Sequence, residues 1–205
     1  MTFATLSAAL AQFLDELQLP SVHLVGHSFG GMIAQDFIAR YPARVKSLIL
    51  SCTSPAFGRP DGDFQQKFIA ARLEPLERGL TMEDNARDLM PSMMPGAEPD
   101  DLALAIACMA EVPIPTYRAI VRCLVTFDGR GSLPTIAVPT LCLATENDRA
   151  APAQALEKMA SKIPNARYVC LPRVGHLVYL EDPKAYNKEV RAFVAGVQGI
   201  HRAVG

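Results

Sequence analysis

A hydroxyl between glycines, in Gly26-His27-Ser28-Phe29-Gly30, an acid at Asp148 and an imidazole at His176 are residue types that together can do nucleophilic acyl transfer. A serine hydroxyl is a poor nucleophile at neutral pH, so it needs a base within hydrogen-bond reach, and that base needs an orienting carboxylate. Rival groups read differently. His27 is expected to point away from the serine at a sharp turn, His23 to be a satisfied core histidine within a strand, and His201 to lie in the tail. For the acid, Glu146 and Asp128 are rivals, but Glu146 sits too near the end of a strand and Asp128 is expected to end a helix of an insertion, so Asp148 is favoured over either.

The chain must carry these groups on elements that can bring them together. Apolar Leu6, Leu10, Phe13, Leu14 and Leu17 at helical spacing predict a helix over Ala4 to Leu17, stopped by Pro20. Val22 to Val25 then reads as a short buried strand ending in Gly26. Phe29 to Arg40 reads as the following helix, with Met32, Ile33 and Phe37 inward, and Val45 to Leu50 as a second strand. The GxSxG sequence therefore falls at a strand-to-helix junction, where a sharp turn lifts the hydroxyl clear of a sheet and flanking glycines allow close backbone approach. From Ser54 to Leu133 no strand is evident, and helical stretches are punctuated by Pro55, Pro60, Pro75, Pro91, Pro95, Pro99, Pro113 and Pro115, the pattern of a helical insertion. Strands return at Pro139 to Ala144 and Ala166 to Leu171. Helices are expected to start at Pro152 and, with Asp182 as N-cap, at Pro183, the latter turning Tyr186, Val190, Phe193 and Val194 inward. Strands apolar throughout and alternating with helices indicate a parallel sheet covered on both faces. Ser28, Asp148 and His176 then all fall beyond the carboxyl ends of strands, where ligands of open α/β sheets bind.

Composition limits the partners. A chain of 205 residues has one full-sized core, and a formal net charge of −1 gives no overall field that would draw it to nucleic acid or an acidic membrane, so the expected partner is a small molecule. Cys52, Cys108, Cys123, Cys142 and Cys170 are odd in number, scattered and set in apolar runs, which predicts reduced core thiols. With no basic start, no membrane-length apolar run, no HExxH, no paired CxxC and no phosphate-binding glycine loop, the reading is a soluble cytoplasmic protein needing no metal and no cofactor.

The stretch Leu24-Val25-Gly26-His27-Ser28-Phe29-Gly30-Gly31-Met32, with Gly175-His176-Leu177 and Leu180-Glu181-Asp182-Pro183, resembles the α/β-hydrolase superfamily, in particular 3-oxoadipate enol-lactonases and related small-ester hydrolases. The order Ser, Asp, His agrees. The resemblance implies a partial α/β-hydrolase fold: a mostly parallel sheet of about four strands flanked by helices, core segments 1–54 and 134–205, and a helical cap over 55–133. It gives Ser28, Asp148 and His176 the roles of nucleophile, acid and base, with the backbone N–H of Phe29 as an oxyanion donor. Arg72, Arg118 and Arg122 of the cap are candidates to hold a substrate carboxylate. Two departures are expected to bear on the loops: Thr145 stands where the family has glycine before the acid, and Arg173 replaces a common glycine ahead of His176. Family members carry, ahead of the helix that opens this chain, about four strands and an HGG-type loop that supplies the other oxyanion donor. The expectation is therefore that the chain starts after that loop and exposes strand 22–25 as an apolar sheet edge, which leaves two alternatives: an inactive or weak fragment, or a homo-oligomer that covers the edge. Two functions remain open: a serine hydrolase of small carboxylic esters or lactones, or a non-catalytic remnant of the fold used for binding.

Overall fold

A computed structural model describes the backbone of residues 1–58 and 61–204 and the side chains through residue 199, so that Pro60 and the side chain of His201 lie outside the described residues. Its centre is a parallel sheet of four strands, β1 (Val22–His27), β2 (Val45–Ser51), β3 (Thr140–Thr145) and β4 (Ala166–Leu171), in the order β1-β2-β3-β4. β2 and β3 are buried along almost their whole length, as apolar strands in the middle of a covered sheet must be. β1 and β4 are half-buried instead of buried, because they form the two edges. Val25 on β1 is 45% exposed.

Period-2 alternation divides the sheet into two faces. Leu48, Leu50, Cys142 and Ala144 pack against Ala34, Phe37 and Ile38 of α2 (Phe29–Arg40) and Leu156, Met159 and Ala160 of α7 (Ala153–Ala160). On the other face Ile49, Leu141 and Leu143 meet Tyr186, Val190, Phe193 and Val194 of α9 (Pro183–Val204), the residues that the helical period turns inward. α1 (Phe3–Glu16) packs on α2; it is opened by a reciprocal cap between Thr2 and Thr5, and the hydroxyl of Ser7 donates to Asp36 at 2.6 Å. Asp182 caps α9 by accepting the N–H of Ala185 at 2.9 Å. Pro152 flanks α7 as its N-cap, one residue before the helix begins.

Between β2 and β3 the chain makes four helices, α3 (Asp63–Glu77), α4 (Met82–Met93), α5 (Pro99–Ala110) and α6 (Ile114–Leu124). Pro75 and Pro91 do not interrupt these helices but lie inside α3 and α4, each in the last turn, so that each helix ends two residues beyond its proline. The neck of this excursion is closed by an antiparallel bridge between Ala56 and Asp128, with Phe57 N–H donating to Phe127 O at 3.0 Å and Gly129 N–H to Pro55 O at 2.8 Å. Asp128 thus stands in the neck, paired with Arg130 and beyond the end of α6, not at a helix end as its sequence position suggests. Three of the cysteines, Cys52, Cys123 and Cys142, are buried; Cys108 and Cys170 are exposed, since the former lies on an outward face of α5 and the latter on the edge strand β4. No single helix among the described residues is long and apolar enough to cross a membrane.

Candidate active site

Ser28 occupies the turn between β1 and α2 with φ 51° and ψ −120°, a left-handed conformation that a non-glycine residue adopts only when its surroundings hold it there. They do so on both sides. Its N–H donates to Ser51 O at 2.9 Å, and its carbonyl accepts from Gly31 N at 2.9 Å and from the Thr53 hydroxyl at 2.7 Å. Gly26 is required because a Cβ there would stand 2.5 Å from Gly30 O and 2.7 Å from the Cα of Gly31, so any side chain would push α2 off the strand. Gly31 has the same role against Thr53, whose side chain a Cβ would meet at 2.6 Å.

His176 lies on the loop after β4 and is 3% exposed, while Asp148 lies on the loop after β3. The three groups meet: His176 Nε2 is 2.8 Å from Ser28 Oγ, and His176 Nδ1 is 2.7 Å from Asp148 Oδ2. A carboxylate facing Nδ1 requires the proton on that nitrogen, which leaves the Nε2 lone pair to accept from the Ser28 hydroxyl. The other oxygen, Asp148 Oδ1, accepts the N–H groups of Ala150 and Ala151, both at 2.8 Å, and so cannot rotate away. Glu146, the nearby rival, instead accepts the N–H of Arg173 at 2.8 Å and ties the two loops together.

Both departures from the family pattern are accommodated. Arg173 has φ 62°, the left-handed region where glycine is the usual residue, and takes it without a glycine. Thr145 adds a tether, its buried hydroxyl donating to Gly175 O at 2.8 Å. Three further contacts hold the same loop: His176 N–H donates to Met93 O at 2.7 Å, and the Glu181 carboxylate accepts from Gly175 N at 3.0 Å and from Gly96 N at 3.3 Å. Burial raises the Glu181 pKa above the ordinary carboxylate range.

The serine and the imidazole open into a cavity of about 310 Å³. Its wall is mostly apolar, including Met32, Phe57, Phe64, Phe68, Leu89 and Met93, with Arg72 and Arg149 as its cations. The Arg72 guanidinium stacks over Phe68, 5.2 Å from the ring centre. Of the arginines selected from sequence, only Arg72 lines the cavity; Arg122 is exposed and Arg118 belongs to another face of α6, because which side of a helix meets a cleft depends on how the helix docks. Arg149 escaped the sequence reading, although its place next to Asp148 on a loop beyond a strand end was a usable signal. The N–H of Phe29, at the first position of α2, makes no hydrogen bond among the described residues and is free to receive an anion.

His23 bonds Ser47 Oγ at 2.8 Å, as a satisfied strand histidine should. His27 does not compete for the Ser28 proton, but its ring is not turned away from the site: its Nε2 lies 2.8 Å from His176 O. Donor atoms of His27, Cys52 and His176 lie within 4.8 Å of one another, the one such group of possible metal donors among the described residues. Of these donors, both nitrogens of His176 and the Nε2 of His27 are bonded within the protein, and burial pushes the Cys52 thiol up to about 12.

Comparison with known proteins matches residues 1–183 to a family described as the alpha/beta hydrolase fold. A Mycobacterium tuberculosis protein named as the non-heme bromoperoxidase BpoC is 29% identical over 206 residues, covering 96% of this chain and 77% of that protein. A thermophilic esterase from Thermogutta terrifontis superposes with a TM-score of 0.85 at 25% identity, over 96% of this chain and 73% of that one. The enol-lactonase from Burkholderia xenovorans LB400 gives a TM-score of 0.85 at 24% identity, over 95% and 74%, a likeness of fold.

Proposed function

Because the chain belongs to the α/β-hydrolase fold family, we propose that it hydrolyses small carboxylic esters or lactones through an acyl-enzyme on Ser28. The observation that carries this reading is the continuous contact from Ser28 Oγ through His176 to Asp148, at 2.8 and 2.7 Å, on the wall of an apolar cavity. In the proposed cycle Ser28 Oγ attacks the substrate carbonyl carbon as its proton passes to His176 Nε2, and Asp148 stabilises the imidazolium that results. The carbonyl electrons move to oxygen, which accepts a hydrogen bond from Phe29 N–H. Collapse of this tetrahedral species expels the alcohol oxygen, protonated by His176, and leaves the acyl group on Ser28. A water deprotonated by His176 then attacks the acyl carbon, and Ser28 recovers its proton as the acid departs. A lactone follows the same course, except that its leaving oxygen stays tethered to the product.

In this reading residues 55–133 form the cap over a core of 1–54 and 134–205, and the cap supplies the phenylalanines and Arg72 of the cavity wall. Arg72 and Arg149 favour substrates with negative charge away from the scissile bond. The esterase activity of the Thermogutta terrifontis relative supports the ester class. The shared fold does not itself select a substrate, and the size and apolar wall of the cavity support a small acyl group.

The test is active-site labelling. A fluorophosphonate probe is expected to label the protein at Ser28, and Ser28→Ala to abolish both labelling and the hydrolysis of p-nitrophenyl acetate. A folded wild-type protein that neither takes the probe nor cleaves the ester would overturn the hydrolase reading in favour of a binding protein.

A further inference from the structure

β1 and β4 are the opposite edges of the sheet, so the loop that carries His176 must arch over two strands, roughly 14 Å at ordinary strand spacing, to reach Ser28. Thr145, Met93 and Glu181 fasten that loop to β3, to the end of α4 and to its own continuation. None of these anchors belongs to β1, the strand that carries the nucleophile. The contact between Ser28 and His176 cannot serve as the link throughout the reaction, because Ser28 Oγ has no proton to donate once it is acylated, and His176 must still be in place to activate water.

His27, the last residue of β1, supplies the missing connection. A carbonyl oxygen can only accept, so the 2.8 Å contact to His176 O is donated by the Nε2–H of His27. The ring also packs against the His176 ring at 4.9 Å and, in a T-shaped contact, against the Tyr179 ring at 5.0 Å. We propose that His27 is a positioning residue for this reaction, holding the base to the nucleophile's strand through the main chain of His176 while Ser28 is acylated. The inference rests on the hydrolase reading above. The electrostatics agree with it: burial, and then the proximity of His176, lower the pKa of His27 from 6.5 to about 4. His27 is therefore uncharged at neutral pH and places no second positive charge beside the imidazolium that His176 must become.

Three substitutions separate the donor from the ring. His27→Gln puts an amide N–H near the place of Nε2, His27→Asn carries its donor too short to reach, and His27→Phe keeps the ring without a donor. Each is measured for kcat and KM on p-nitrophenyl acetate and for the rate of fluorophosphonate labelling. The expected result is a fall of roughly three- to tenfold in kcat for the Phe and Asn variants, with KM falling in step and the labelling rate near wild type because acylation precedes the affected step, and with Gln restoring most of the loss. A Phe variant with wild-type kcat, equal losses in Gln and Asn, or a change confined to KM would each overturn the proposal. A measurement on the wild type guards against misfolded variants: 15N-histidine NMR at neutral pH should find His27 protonated at Nε2 alone, and a ring protonated at Nδ1 alone, which cannot donate from Nε2, would also overturn it. The two readings fail separately, since an unlabelled wild type removes the hydrolase while a labelled wild type with a fully active Phe variant removes only the role of His27.

Discussion

At the scale of single residues, the chemistry depends on which nitrogen carries a proton. His176 is set by the carboxylate at Nδ1, and His27 by the carbonyl at Nε2. The lowered pKa of His27 has a consequence for stability. Its imidazole takes up a proton at about 6.5 in the unfolded chain and about 4 in the folded one, so between these values the unfolded state binds more protons and stability rises with pH. The contribution is fully present above pH 6.5 and is lost as the pH falls to about 4. Urea unfolding of the wild type should therefore lose stability across this window more steeply than His27→Gln, and parallel curves would show that His27 titrates normally. Sequence identified Ser28, Asp148 and His176 as chemically able because residue type and turn chemistry are local properties. It misjudged the surroundings of His27, because the carbonyl that it meets belongs to a residue 149 positions away.

At the scale of elements, the junction between β1 and α2 depends on contacts too short for a side chain. Gly26→Ala forces a Cβ into the backbone of Gly30 and Gly31, and overpacking of this kind costs about 1–3 kcal/mol. Gly30→Ala is the control, since a Cβ there meets nothing within 4 Å. Denaturant titration should find Gly26→Ala destabilised and slowed in labelling, with Gly30→Ala close to wild type; equal behaviour of the two would refute the close-approach argument. The elements themselves were legible almost to the residue. α2 and β4 match their expected spans, because the strand-to-helix alternation is strong and the bounding residues are clear. Burial of β4 was overestimated, since an apolar edge strand and an apolar central strand have the same sequence signature.

At the scale of the whole molecule, β1 has no strand on its outer side among the described residues, and Val25 is 45% exposed there. Open apolar strand edges are templates for further pairing, and lysine on an edge suppresses it. Sedimentation velocity should find concentration-dependent self-association that Val25→Lys weakens, whereas a wild type that stays monomeric throughout would leave the edge without this role. By itself the sequence determined the α/β alternation, the turn that presents Ser28 and the residue types able to assist it, because hydrophobic period, glycine placement and capping act over a few neighbours. Only the tertiary structure decided that His176 reaches Ser28 across the sheet, that His27 bonds the same residue, and that Arg72 and Arg149, not Arg118 or Arg122, face the cavity. These facts arise from how separate elements dock against one another, and docking is fixed by the shape of the whole core instead of by any stretch of the chain.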